Sequence, residues 1–209
     1  MGGGEHQYTV ADQSTEDQGT EQARAYLKES IAVAAACLDA LAVPIAAAAR
    51  LLIEALAGGG KVVFFGNGGS AADAQHLAAD FVGKFMRERR PLAAVALTAD
   101  TAVLTAVGND YGFERIFARQ IEALVREGDI VVALSTSGRS QNVIEGIEAA
   151  RRARARVVVL TGRNGGPLAG LADVVICVPS DHTGHIQEAH IAVGHALCEL
   201  TEEAQAAAG

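Results

Sequence analysis

Three stretches of this 209-residue chain carry residue types that could do chemistry together. The first is Gly66-Asn67-Gly68-Gly69-Ser70-Ala71-Ala72-Asp73-Ala74-Gln75-His76, which follows the apolar run Lys61–Phe65 and leads into Ala-rich sequence. A Gly-rich turn between strand and helix exposes backbone N–H groups at the positive end of a helix dipole, a seat for an anion or for sugar oxygens. The turn is not a P-loop, since no Lys-Ser/Thr pair follows a second glycine, and it lacks the third glycine of the dinucleotide pattern. The second stretch, Ser135-Thr136-Ser137-Gly138-Arg139-Ser140, offers hydroxyls and amides at a helix start. Neutral donors of this kind suit a phosphate monoester, although Ser140 as an N-cap among turn formers is the plainer reading. The third is C-terminal, where His182, His185, His190 and His195 supply four of the six histidines, together with Gln187 and Glu188. Imidazole titrates near neutrality and ligates metals.

Smaller pairings add to these. His76 and Asp80 are four apart and share a helix face, so they can bind a divalent metal or act as an acid/base pair; otherwise they form an ordinary surface pair. Gln187 and His195 are eight apart, about 12 Å of rise on one helix, too far to grip one small ion. Either Gln187 precedes the regular helix or its partners come from another subunit. Asn109 and Asp110 follow the second strand region and reach toward the same edge, or simply turn the chain within Asn-Asp-Tyr-Gly.

The elements that must position these residues alternate regularly. The pattern predicts strands over Lys61–Asn67, Ala93–Thr98, Asp129–Ser135, Arg156–Thr161 and Val174–Val178. Helices are expected from Ser70 to about Met86, near Thr101–Gly108, over Phe113–Arg126, from Ser140 to about Ala153, over Pro167–Leu171 and from His185 to about Ala206. Asn109–Gly112 reads as a turn. Continuous apolar strands between helices imply a five-stranded parallel sheet covered on both faces: an α/β fold, a three-layer α/β/α sandwich of flavodoxin-like type. Ligands of such sheets lie off the carboxyl ends of the strands, where the small polar residues converge. Ahead of the sheet, a helical pair is expected over residues 21–57, with one helix to about Leu41 and another from Ile45 to Ala57 after Pro44. We read this pair as helping to build an oligomer interface. Residues 1–20 read as a disordered tail and residues 21–209 as one domain.

Bulk properties exclude several classes. A net charge of −8 and a pI near 5.2 argue against nucleic acid or an anionic membrane as partner. Cys37, Cys177 and Cys198 have no paired spacing, which argues for a reducing, cytoplasmic setting. The N-terminal residues lack a secretory pattern, and the longest apolar stretches are broken by charge or glycine, so no membrane span is expected.

Taken together, residues 66–76, Val-Gly-Asn-Asp-Tyr-Gly-Phe (107–113), Ser-Thr-Ser-Gly-Arg-Ser (135–140), Leu-Thr-Gly (160–162) and Ile-Gln-Glu-Ala-His (186–190) with His195 closely resemble the phosphoheptose isomerases, a family of sugar isomerase (SIS) domain proteins. The resemblance runs from about residue 21 to 203. It implies isomerisation of sedoheptulose 7-phosphate to D-glycero-D-manno-heptose 7-phosphate, an early step toward nucleotide-activated heptose. It also implies a homotetramer with active sites at subunit interfaces and a bound zinc. By position, it implies sugar-phosphate contacts from Asn67, Gly68, Gly69, Asp80, Asn109, Asp110 and Gln187, and a phosphate held by Ser135, Thr136, Ser137 and Ser140. His76, Asp80, Gln187 and His195 become the metal set, and Asp80 and His195 the proton-transfer pair. The family has Glu where this chain has Asp80, one methylene shorter. A rival reading is a non-catalytic SIS-domain binding protein, similar to tetrameric regulators that associate with a replication initiator; a sugar-phosphate sensor is a third.

Overall fold

The computed structural model describes the backbone of residues 13–207 and the side chains of residues 17–206. Strands β1 (Val62–Gly66), β2 (Ala94–Ala96), β3 (Ile130–Ser135), β4 (Arg156–Gly162) and β5 (Val174–Val178) form one parallel sheet in the order β2-β1-β3-β4-β5. This is the flavodoxin-like order, and its strand exits lie along one rim. Alternate side chains of each strand enter opposite cores, so every position of β1 and β3 is buried. On one face Phe64, Val132, Leu134, Val158 and Leu160 pack against α1 (Gln13–Ala57), α2 (Gly69–Val82) and α6 (Thr183–Ala207). On the other, Val63, Phe65, Val131, Ala133 and Val159 meet α4 (Ile116–Leu124) and α5 (Gln141–Arg152), with Phe65 and Phe117 rings 5.1 Å apart. The Gly146 Cα lies against the Phe65 ring, where a Cβ would come within 2.8 Å.

Several expected boundaries move. The helical pair expected over 21–57 is one helix, α1, with Pro44 inside it. Proline deletes one backbone hydrogen bond and crowds the preceding turn, but here the flanking Leu41, Ala48, Leu52 and Leu56 are buried and hold the helix on its course. Of the tail expected over residues 1–20, residues 1–12 lie outside the described residues, and α1 already runs from Gln13. The helix α3 (Thr101–Tyr111) absorbs the turn expected at Asn109–Gly112. Gly112, at φ +92°, ends it, and a 3-10 turn over Phe113–Arg115 precedes α4. The helix α2 stops at Val82 rather than near Met86. The helix α6 starts two residues early, so His185 lies on it.

The helix α1 also corrects the expectation that no apolar stretch suffices for a membrane span. By length and composition its segment Asp17–Ala57 does, with a window of mean hydropathy 2.1, of which 11% is buried. Its second half packs as a core helix against α6 and β5, whereas Leu27, Ile31, Leu38 and Val43 stand 60–78% exposed. Polar bonds fix its course over α6. Tyr26 Oη donates to Glu188 Oε1 at 2.7 Å, Ser30 donates to the other carboxylate oxygen, and buried His185 lies between Glu188 and Glu29.

Candidate active site

The turn after β1 is built by glycines where other side chains would collide or strain. Gly68 precedes α2 at φ +56° and ψ −122°, a conformation open to glycine. A Cβ on Gly69 would fall 1.8 Å from Gln187 Nε2, so the Gln187 amide lies directly over this turn. Ser70, the expected N-cap, is instead buried inside the first turn of α2, and no side chain caps that helix. Asn67 faces Asn142 of α5, and each side-chain amide donates to the other at 2.8 Å.

The turn after β3 lies on the same rim. Ser135, 5% exposed, ends the strand, and its Oγ lies 3.4 Å from Ser140 Oγ. Gly138 closes the turn at φ +64°, with its Cα against the Gly165 carbonyl. Ser140 precedes α5 with extended backbone and makes no side-chain cap, its hydroxyl pairing with Ser135 at the rim instead. Thr136 is half-buried and Ser137 exposed. Hydroxyls and the first N–H groups of a 12-residue helix therefore face one rim position, which can hold an anion. Asn67, Phe113, Glu114, Ser140, Gln141 and Asn142 line a shallow cavity between the two turns.

His76 and Asp80 of α2 meet His195 of α6. The two Nε2 atoms are 3.0 Å apart, Asp80 Oδ2 lies 3.3 Å from His76 Nε2, and it lies 4.0 Å from His195 Nε2. The Phe85 ring stacks on His195 at 5.2 Å and 25°. Asp80 Oδ2 is buried and has no aligned hydrogen-bond donor. An unpartnered carboxylate oxygen beside two imidazole nitrogens fits the ligand demands of a divalent cation, so three of the four expected metal residues suit one. Beside them Cys198 is buried, and burial, reinforced by the Asp80 carboxylate, pushes its thiol up to about 12. It stays neutral.

Other expected site residues stand apart within one chain. Gln187 lies on the same continuous helix as His195, about 12 Å of rise away, and sits at Gly69 instead. Asn109 and Asp110 are exposed on the last turn of α3, where Asn109 Nδ2 donates to Asp110 Oδ1 at 2.7 Å. The rim turns and the His76–Asp80–His195 group are themselves separated: Gly69 and His76 are seven positions apart on α2, about 10 Å of rise. Sequence reasoning missed Asn142, which lies in no motif; a polar residue on the otherwise apolar inner face of α5 was its only signal. Phe85, Arg89 and Glu202 left no signal in the sequence, because Phe85 meets His195, and Glu202 meets Arg89 and the 85–87 amides, only through the packing of segments far apart along the chain.

A model of the SIS domain matches residues 25–162. The chain is 52% identical over 183 residues to the phosphoheptose isomerase of Aquifex aeolicus, covering 88% of this chain and 96% of that protein. It is 58% identical over 160 residues to that of Rhodospirillum rubrum, covering 77% and 85%. The solved phosphoheptose isomerase from Neisseria gonorrhoeae superposes with a TM-score of 0.84 at 45% identity, covering 88% of this chain and 98% of that one.

Proposed function

We propose, from the premise that the chain belongs to the phosphoheptose isomerase family of SIS-domain proteins, that it converts sedoheptulose 7-phosphate to D-glycero-D-manno-heptose 7-phosphate through an enediol. The observation that carries this reading is the convergence of His76, Asp80 and His195 from two helices. The product then enters the synthesis of nucleotide-activated heptose. Three free cysteines fit a reducing, cytoplasmic setting.

The substrate has its carbonyl at C2 and two hydrogens on C1. A base removes one proton from C1; the electrons left behind form the C1=C2 bond, and the C2 oxygen gains a proton. Return of a proton to C2, with loss of the O1 proton, leaves the aldehyde at C1. Asp80 is the base that serves both carbons. His195, its Nε2 4.0 Å from Asp80 Oδ2, moves the proton between the two oxygens. Phe85 covers one face of the His195 ring and limits water there. Ser135, Thr136, Ser137 and Ser140, with the N–H groups that open α5, take the phosphate. Asn67, Gly68, Gly69, Asn109, Asp110 and Gln187 take the sugar hydroxyls. The phosphate is on C7, at the opposite end of the carbon chain from C1, which suits a phosphate seat set apart from the proton-transfer pair. In a homotetramer with interface sites, residues that stand off within one chain reach the reacting end from a neighbouring subunit. His76, Asp80 and His195, with Gln187 of a neighbouring subunit, would hold zinc, which when bound polarises the carbonyl or fixes the sugar hydroxyls.

The test follows loss of sedoheptulose 7-phosphate with the parent, Asp80→Glu and His195→Gln. The parent turns over, Asp80→Glu equals or exceeds it, and His195→Gln loses about 10²–10⁴-fold. If neither the parent nor Asp80→Glu is active, the isomerase reading fails in favour of a non-catalytic binding protein. A fully active His195→Gln removes His195 from proton transfer.

A further inference from the structure

Asp80 and His195 belong to different helices, and the 83–93 loop between α2 and β2 ties those helices together. Asp80 lies in the last turn of α2, whose terminal carbonyls need donors. Gly83 N–H donates to Ala79 O at 2.8 Å, and Leu92 N–H donates to Phe81 O at 3.1 Å. Between these bonds, Arg89 Nη2 donates to Asp80 O at 2.7 Å and Arg89 Nη1 to Gly83 O at 3.1 Å. The guanidinium thus closes the helix end that carries Asp80 and places positive charge at its negative pole.

The same guanidinium meets α6. Arg89 Nε lies 3.1 Å from Glu202 Oε1, a pair whose side chains are 4% and 1% exposed, held by proximity rather than by an aligned hydrogen bond. The Glu202 carboxylate also accepts the N–H groups of Phe85, Met86 and Arg87 at 3.1, 2.8 and 2.9 Å. Burial opposes its ionisation, but these amides and the Arg89 charge prevail and hold the carboxyl below its usual range. Glu202 stands two helical turns beyond His195 on the same face of α6. The loop it grips carries Phe85, whose ring stacks on His195. One buried ion pair therefore touches the backbone of Asp80 on one side and the helix and ring contact of His195 on the other.

We propose that Arg89 and Glu202 are positioning residues that fix the separation of Asp80 from His195 and thereby set the rate of proton transfer. The rate claim rests on the isomerase reading above; the geometric claim does not. Proton transfer demands hydrogen-bond reach, and a misplacement of about 1 Å costs on the order of 100-fold. Asp80 has a short side chain, so its reach depends on where its backbone is held.

The decisive variants are Arg89→Lys, which keeps the cation but loses the planar fork, and Glu202→Gln, which keeps the shape but loses the charge. Glu203→Gln, at the neighbouring exposed pair with Arg87, is the control. Measured on folded, full-length protein, Arg89→Lys and Glu202→Gln lower kcat about tenfold or more with KM within about twofold. The control changes neither. Crystal structures of the two variants show the Asp80 carboxylate displaced from His195. Parent-like kcat in both folded variants, or unmoved Asp80 and His195, overturns the proposal. If neither variant folds, the pair holds the fold rather than the site, and the proposal is also overturned. If the parent itself does not turn over sedoheptulose 7-phosphate, the isomerase reading fails, and the crystal structures alone decide the positioning claim.

Discussion

Asn67 and Asn142 exchange two hydrogen bonds of 2.8 Å, and this amide pair joins the glycine-rich turn after β1 to the helix that opens behind the serine-rich turn after β3. Each turn is short and polar, and neither is rigid by sequence. The pair couples them across the rim, with Asn142 only 3% exposed.

Removing one partner leaves the other amide unsatisfied near the rim. Asn142→Ala is expected to destabilise the protein by about 1–3 kcal/mol and to raise KM for the sugar phosphate more than it lowers kcat. Denaturant unfolding and steady-state kinetics check this. Unchanged KM in a destabilised variant would assign the pair to stability alone.

The His76–Asp80–His195 group makes a second prediction independent of turnover. Metal-free protein titrated with cobalt(II) binds it, and His76→Ala weakens binding by at least about tenfold, the scale reached when even an outer partner of a metal ligand is lost. A visible absorption titration reads this directly. Equal affinity in parent and variant would exclude His76 as a ligand.

The parallel sheet and both rim turns were legible in the sequence, because buried β-strands read as apolar runs and glycine or serine turns punctuate them. The pairing of His76 with Asp80 was legible from spacing on one helix. Their meeting with His195 was implied only by the family resemblance, because no spacing shows it and it depends on how α2 and α6 pack. The continuity of α1 through Pro44 was hidden for a related reason: local propensity predicts a break, and burial of Leu41, Ala48 and Leu52 on either side overrides it. The helical placement of Asn109 and Asp110 shows the converse, with turn-forming residues drawn into the last turn of α3. The Arg89–Glu202 pair joins residues more than a hundred positions apart, beyond any local pattern.

His190 makes a prediction about pH. It is fully buried against β4, and loss of solvation lowers its imidazole from 6.5 to about 4, opposed in part by the Thr161 backbone. The unfolded chain therefore takes up a proton near pH 6.5 that the folded protein refuses until about pH 4. Stability is full above pH 6.5 and falls as pH drops toward 4, by about 3 kcal/mol from this group. His190→Leu removes that share of the slope, although carboxylates still titrate at the lower end. Thermal melts at pH 7, 5.5 and 4.5 test it; parallel curves for parent and variant would refute the assignment.

The exposed apolar face of α1 makes the last prediction. Ile31 and Leu38, 69% and 74% exposed, are seven apart on one face of a helix whose second half is buried. Large apolar side chains repeated on one face mark a protein interface. The proposed tetramer would cover them, and with it would come the neighbouring subunit that brings Gln187 toward His195. Ile31→Asp/Leu38→Asp places two charges on that face without touching the sheet or the His76–Asp80–His195 group. Sedimentation velocity is expected to show a shift from tetramer to smaller species, with loss of turnover in proportion and little change in far-UV circular dichroism. A tetramer that survives the double substitution would place the interface elsewhere. A smaller species with full activity would show that one chain completes its own site.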